Sequence, residues 1–273
     1  MTAFEGPPKN YVIRGGDEGI RRLAILSEVL WPTTRRLLER AGIRAGMACL
    51  DLGSGAGEVT MAMADLVGAG GKAVGIEFER VKASAAERKA AGRNVSNVEF
   101  RVGDVTHWYE DSAYDLIYAR FLLTHLRDPA RLVSGMRQAL RPGGVAIVED
   151  IDFNGNVCSP PCEAFDEYVR LYQEVVRHRG GDANIGPRLP SLLMDAGFAD
   201  VHVDLVQPVF MTGIGKQLAP LTFEFIIDSL VADGLASEAN LRAELAALEA
   251  FTNDPRTLIS LPRIFQAWGY KAG

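Results

Sequence analysis

"CLDLGSGAGEVT", residues 49–60, sets three glycines in a short loop between an apolar run and a helical pattern. The spacing Gly53-x-Gly55-x-Gly57 misses the dinucleotide fingerprint G-x-G-x-x-G by one residue, because Glu58 stands where the third glycine would fall. Glycines at 53 and 55 have no Cβ and let the backbone approach a ligand closely. A pyrophosphate here would sit near two acids, Asp51 and Glu58, in a loop where repulsion is weakly screened. Glu58 by itself is accounted for as a first-turn acid that complements the helix dipole; Asp51 has no such explanation.

Outward from this loop, residues 46–150 alternate strand-like and helical runs, the signature of a parallel sheet covered by helices. MACLDLG, KAVGIE, VEFRVGD, YDLIYAR and GVAIVED read as strands. EVTMAMADLVG, FERVKASAAERKAAG and DPARLVSGMRQAL read as helices, the last opened by Asp128 and Pro129, and RPGG turns the chain into the fifth strand. Before the sheet, residues 17–30 predict an amphipathic helix and Pro32 opens a second one, PTTRRLLERAG, closed by Gly42. After it come the helix EAFDEYVRLYQEVVRHR, a short helix LPSLLMDAGF, the alternating strand VHVDLVQPVF, helical periodicity over 215–250 and a last strand, LISLPRIFQAWGYK.

Composition narrows the functional class. The 273 residues, 48% of them hydrophobic, suffice for a sizeable core, and the net charge of −6 gives no basic footprint for nucleic acid. No basic segment followed by an apolar stretch opens the chain, and charges interrupt every long apolar run, as in LTFEFIIDSLVADGLA, so no membrane association and a cytoplasmic location are expected. Cys49, Cys158 and Cys162 read as ordinary thiols of a reducing compartment.

In open parallel sheets the ligand lies beyond the carboxyl ends of the strands. Asp51, Glu77, Asp104, Arg120, Asp150 and Asp152 all fall there. Glu77 suits two ribose hydroxyls, Phe78 suits either the flank of an adenine ring or a core position, and Asp104 suits the adenine amine. S-adenosylmethionine (SAM), with a sulfonium, an ammonium and no phosphate, fits the acids around the glycine loop. The strand-end acids Glu149, Asp150 and Asp152 form an oxygen-rich cluster of the type Mg²⁺ favours, but their simpler reading is solvation, and no metal is expected.

DLGSGAG (51–57), GIE (75–77), GDV (103–105), YDLIYARFLLTHL (114–126) and LRPGG (140–144), in that order, resemble the motifs of class I SAM-dependent methyltransferases. The chain is most similar to the branch that holds ubiquinone and menaquinone C-methyltransferases and bacterial natural-product methyltransferases. The resemblance implies an α/β fold: a doubly wound, seven-stranded, mostly parallel, Rossmann-like sheet whose last strand is antiparallel. It divides the chain into an N-terminal helical lid (1–34), a SAM-binding core (35–210), a helical cap insertion (211–256) and the last core strand (257–273). It also implies Gly53 and Gly55 against the methionine part, Ser54 at the cofactor, Glu77 on the ribose, Asp104 and Val105 at adenine, the backbone around Ala119 and Arg120 at the amino-acid end, and Tyr11 in a lid over the cofactor. Ser54 stands where this branch often has Cys; either small side chain fits.

The implied reaction is in-line methyl transfer to a small, partly apolar O, N or C acceptor, releasing S-adenosylhomocysteine (SAH). An NAD(P)-dependent reductase, disfavoured by Glu58 and by the lack of a Tyr-x-x-x-Lys pair, and a non-catalytic SAM-binding protein are the alternatives. Of four histidines, His125 in RFLLTHL is the candidate general base, with packing or helix capping as its other reading. His107 lies near the rim and His202 inside a strand. Arg14, Asp152, His178 and Phe223 are candidate acceptor-pocket residues. The apolar insertion around Phe223, Phe225, Ile226 and Ile227 is expected to form core, pocket wall or a homodimer contact.

Overall fold

The apolar runs between residues 48 and 152 pair side by side as parallel strands, β1 (Ala48–Leu52), β2 (Lys72–Glu77), β3 (Val98–Val102), β4 (Tyr114–Arg120) and β5 (Leu140–Asp152). The computed structural model describes residues 12, 13 and 15–273; Tyr11 and Arg14, with the rest of the expected lid before residue 12, lie outside the described residues. Two further strands, β7 (Ala199–Val206) and β10 (Arg263–Tyr270), complete a seven-stranded sheet in the order β3-β2-β1-β4-β5-β10-β7. β10 runs antiparallel to both neighbours, β5 and β7. The order reverses between β1 and β4, which opens a crevice at their carboxyl ends. The expectation of a seven-stranded, mostly parallel α/β sheet with an antiparallel last strand holds.

Helices α2 (Glu58–Val67), α3 (Arg80–Gly92), α4 (Pro129–Ala139) and α6 (Leu189–Asp195) cover the sheet, and Asp128 caps α4 by accepting from Arg131 N at 3.0 Å. One core cluster joins β1, β4 and β5 to α4 and α6, and a second joins the same strands to α2 and to Leu37 and Leu38 of α1 (Gly16–Arg40). A third cluster, beyond the end of the sheet, packs α5 (Glu163–His178), α7 (Leu218–Ala232) and α8 (Glu238–Asn253) against the first half of α1. Among the described residues no helix is long and apolar enough to cross a membrane.

Four expectations are corrected. Pro32 does not open a second helix: α1 is one helix of 25 residues with Pro32 inside it. Leu26, Leu30, Leu37 and Leu38 are all buried on one stripe that continues through the proline, and burial on two core clusters outweighs the roughly 3 kcal/mol that an interior proline costs. RPGG does not precede the fifth strand but lies within it as a bulge, since Tyr114 faces Leu140 while Leu116, two residues on, faces Val145. LISLPRIFQAWGYK is two strands, because β9 (Leu258–Ser260) leaves for a small sheet with β6 (Cys158–Ser159) and β8 (Val209–Phe210), and the chain enters β10 only after Pro262. VHVDLVQPVF divides the same way at Pro208. Each proline lacks the N–H that would continue a ladder.

Candidate active site

All three loop glycines adopt left-handed backbone angles, φ +72° at Gly53, +57° at Gly55 and +81° at Gly57, which L side chains rarely adopt. At Gly57 a Cβ would also meet the Phe100 ring at 2.6 Å. The loop is pinned to β2 by Gly53 N and Ser54 N, which donate to Ile76 O at 2.9 and 3.0 Å. One residue on, the buried Glu77 carboxylate accepts from Gly55 N through Oε2 and from Glu79 N through Oε1, each at 2.9 Å. Backbone amides therefore fix this acid at the mouth of the crevice before any ligand arrives.

Asp51 is buried at the end of β1 and accepts from Thr60 Oγ1 at 2.6 Å. Burial pushes its pKa up to about 6, against the lowering effects of the Thr60 hydrogen bond and of Arg120. Glu58 starts α2 and pairs with Lys89, in line with its first-turn reading. Asp104 organises the turn after β3: its Oδ1 accepts from Thr106 N and Oγ1 at 2.8 and 2.7 Å, and His107 Nδ1 lies 3.0 Å from Oδ2. Burial would raise the Asp104 pKa, but the Thr106 and His107 contacts outweigh it and lower it.

These groups open on one cavity of about 930 Å³, large for a small-molecule site and roomy enough for a cofactor with an acceptor. Asp51, Gly53, Ser54, Gly55, Glu77 and Phe78 line one side of it, with Asp104, Val105 and Arg120. Arg120 donates to Ser27 Oγ at 2.7 Å and Thr34 Oγ1 at 3.3 Å, which ties the cavity wall to α1. Ala119 is fully buried within β4, and only its neighbours Tyr118 and Arg120 reach the cavity. The Ser54 hydroxyl is buried and makes no hydrogen bond to any described residue.

His125 lies in a short 3-10 turn after β4, buried, and lines the same cavity. Burial above all, then the positive charges of Arg22 and Lys82, push its pKa down to about 3. The imidazole is thus neutral across the physiological range, ready to accept a proton but a weaker base than an ordinary histidine.

Three candidate acceptor residues fall elsewhere. Asp152 is buried in an ion pair with Arg263 Nη2 at 2.7 Å and does not line the cavity. His178 is exposed at the end of α5, on the face turned from the core. Phe223 is fully buried behind the wall, 5.7 Å from the Tyr168 ring. Phe225, Ile226 and Ile227 are buried in the same core, so the insertion's apolar face is satisfied within one chain. The other strand-end acids are likewise held by protein donors: Glu149 by Thr34, Tyr118 and Gln266, and Asp150 by the amides of Thr124 and Ile151. His202 stacks on Trp268 at 5.1 Å, a packing role.

The far side of the cavity was not foreseen. Arg22 of α1, Tyr168 and Tyr172 of α5 and Thr222 of α7 line it, and Lys82 of α3 lines the cavity beside Glu79. Lys82 is buried and pairs with Glu79 at 2.5 Å. The signal for the tyrosines was present: Phe165, Tyr168, Leu171 and Tyr172 form one buried stripe of α5.

Comparisons with known proteins agree with this architecture. Phosphoethanolamine N-methyltransferase 1 of Arabidopsis thaliana is 30% identical over 187 residues, 68% of this chain and 35% of its own length. The demethylmenaquinone methyltransferase of Staphylococcus aureus is 30% identical over 143 residues, 52% of this chain and 56% of its own. The chain thus spans about a third to a half of these curated relatives. The solved structure of phosphoethanolamine N-methyltransferase 2 of Haemonchus contortus, in complex with phosphomonomethylethanolamine and S-adenosylhomocysteine, superposes with a TM-score of 0.59 at 17% identity, covering 94% of this chain and 58% of that one. The methyltransferase domain family matches residues 43–189, more than half of the chain. The protein belongs to that methyltransferase domain family and carries its class I fold.

Proposed function

We propose that the protein transfers a methyl group from SAM to a small acceptor. The observation that carries this reading is Glu77, clamped by the amides of Gly55 and Glu79 beside a loop of three left-handed glycines and set among acids. That cradle suits a nucleoside bearing cations and repels a pyrophosphate. SAM, when bound, would supply a sulfonium methyl group that passes to the acceptor's lone pair while the C–S bonding electrons stay on sulfur.

Glu77 would hold the ribose hydroxyls, Asp51 would favour the ammonium end, and Phe78, Asp104 and Val105 would surround adenine. Ser54 would present its backbone to the methionine part, its hydroxyl being packed against Gly75 of β2. His125, neutral at physiological pH, would receive the proton that an acidic acceptor group sheds as it attacks. The first half of α1 and helices α7 and α8 would exclude water from the reacting pair, a single chain sufficing.

Thermal unfolding with SAM, SAH and NADPH tests the reading, since a ligand selective for the folded state raises the midpoint. The expected result is stabilisation by the two sulfur compounds and none by NADPH. Stabilisation by NADPH alone would overturn it in favour of a reductase.

A further inference from the structure

Among the described residues, Arg22 is a buried cation without a counter-ion. It is 9% exposed, and its Nε and Nη2 both donate to one neutral oxygen, Thr222 Oγ1, at 3.1 and 3.0 Å. The Thr222 hydroxyl in turn donates to Leu218 O at 2.6 Å, so Thr222 orients the guanidinium without neutralising it. Among the described residues no carboxylate lies within ion-pairing distance of Arg22, and three of its five N–H groups make no hydrogen bond to them. Comparable cations are matched: Lys82 has Glu79 and Arg179 has Asp233. Leaving a charge buried and unmatched costs several kcal/mol, and Arg22 lines the cavity.

We infer that the methyl acceptor carries a carboxylate or phosphate group and that Arg22 receives it, with an apolar or aromatic body lying along Tyr168 and Tyr172. The inference rests on the methyltransferase reading for the word acceptor, but not for the anion site itself. A guanidinium presents a planar fork that matches both anions in bidentate fashion. The wall beside it is aromatic and rigid: Phe153 stacks on Tyr172 with centroids 4.0 Å apart and meets Tyr168 edge-on at 5.7 Å. Asp51 and Glu77, two cavity acids that hold no cation of their own, sit at the strand ends, where the cofactor is placed, so cofactor cations and acceptor anion have separate partners. An anion on Arg22 would also cancel one of the two positive charges that depress His125, so that the acceptor strengthens the base it needs.

The test is calorimetric titration of the SAH-loaded full chain with matched probes: phenylacetate against phenylacetamide, and phenyl phosphate against phenol. The wild type is expected to bind an acid at least about tenfold more tightly than its neutral partner, the usual weight of a hydrogen bond to a charged group. Which acid gains more tells carboxylate from phosphate. Arg22→Gln, which can still reach Thr222, is expected to abolish the difference while changing SAH affinity less than about twofold; Arg22→Lys should keep part of it. A purely structural Arg22 would leave the acid preference in place. Equal binding of acids and neutral partners by the wild type, no binding of any acid, or a preference that survives Arg22→Gln would overturn the inference. If Arg22→Gln fails to fold, the wild-type pairs and Arg22→Lys still decide. A chain that does not bind SAH would count against the methyltransferase reading; the same titration without SAH would then judge the anion site alone.

Discussion

At the cofactor end of the cavity, Glu77 is fixed by the amides of Gly55 and Glu79, partners at most 22 residues away; at the other end, Arg22 meets Thr222 across 200 residues. The first end is acidic and is assembled from loops that follow successive strands. The second is basic and aromatic and exists only once α1 has docked on α5 and α7. One end is therefore a property of the sheet, and the other a property of how the cap closes on it. Changes at either end should leave the other's ligand nearly untouched.

Glu77→Ala gives the largest break in this comparison. It removes the acceptor of two backbone N–H groups and, on the proposed reading, of the ribose hydroxyls, each a hydrogen bond to a charged group of about 1.5–3 kcal/mol. SAH affinity is expected to fall by about 10²- to 10³-fold, with the acid preference at Arg22 preserved. Direct titration of SAH checks it, and an unchanged affinity would remove Glu77 from the cofactor site.

His125→Gln sits at the boundary between the two ends. Turnover is expected to fall by about 10²-fold, the lower range for a lost general base, with SAM affinity within about twofold. Because the folded His125 pKa is held down at about 3, the imidazole stays neutral above that value, and the wild-type pH-rate profile should show no acid limb from it between about pH 5 and 8. A limb near neutrality that vanishes in the variant would mean that His125 is hydrated in the working enzyme, since burial is the main cause of its lowered pKa.

The contrast also explains what could be read from sequence. Asp51, Gly53, Gly55, Glu77 and Asp104 were legible because a rule of position applies to them: they follow strands, and strands are recognised by local patterns. Arg22 looked like any charge on an amphipathic helix, and Lys82 like any charge in FERVKASAAERKAAG, since burial there depends on partners far along the chain. His178 and Phe223 were misassigned for the same reason, one turned outward and one sealed behind the wall. Pro32, Pro208 and Pro262 carried opposite lessons. The first was overridden by a leucine stripe packed on two sides, while the others did break their strands, where a second small sheet was ready to take the freed ends.

Asp51 offers the smallest and most specific test. Its folded pKa of about 6 lies above the ordinary 3.8, so the folded chain binds this proton more tightly than the unfolded chain. Its contribution favours folding below about pH 4 and is lost as pH rises through about 6, on the order of 3 kcal/mol for the gap. Asp150, raised by burial to about 7, acts in the same direction, so Asp51→Asn should flatten part of the stability slope between pH 4 and 7 and leave the rest. A bound ammonium favours the ionised Asp51 and must displace its proton below pH 6. SAM affinity should therefore fall by about tenfold between pH 7 and pH 5 in the wild type, and hardly at all in Asp51→Asn. Denaturant melts and SAM titrations across this range read both effects. If the stability slope changes but the affinity slope does not, the burial of Asp51 is real and its partner is Thr60 alone, which would hand the ammonium to another acceptor at the cofactor end and leave the basic end of the cavity as it is.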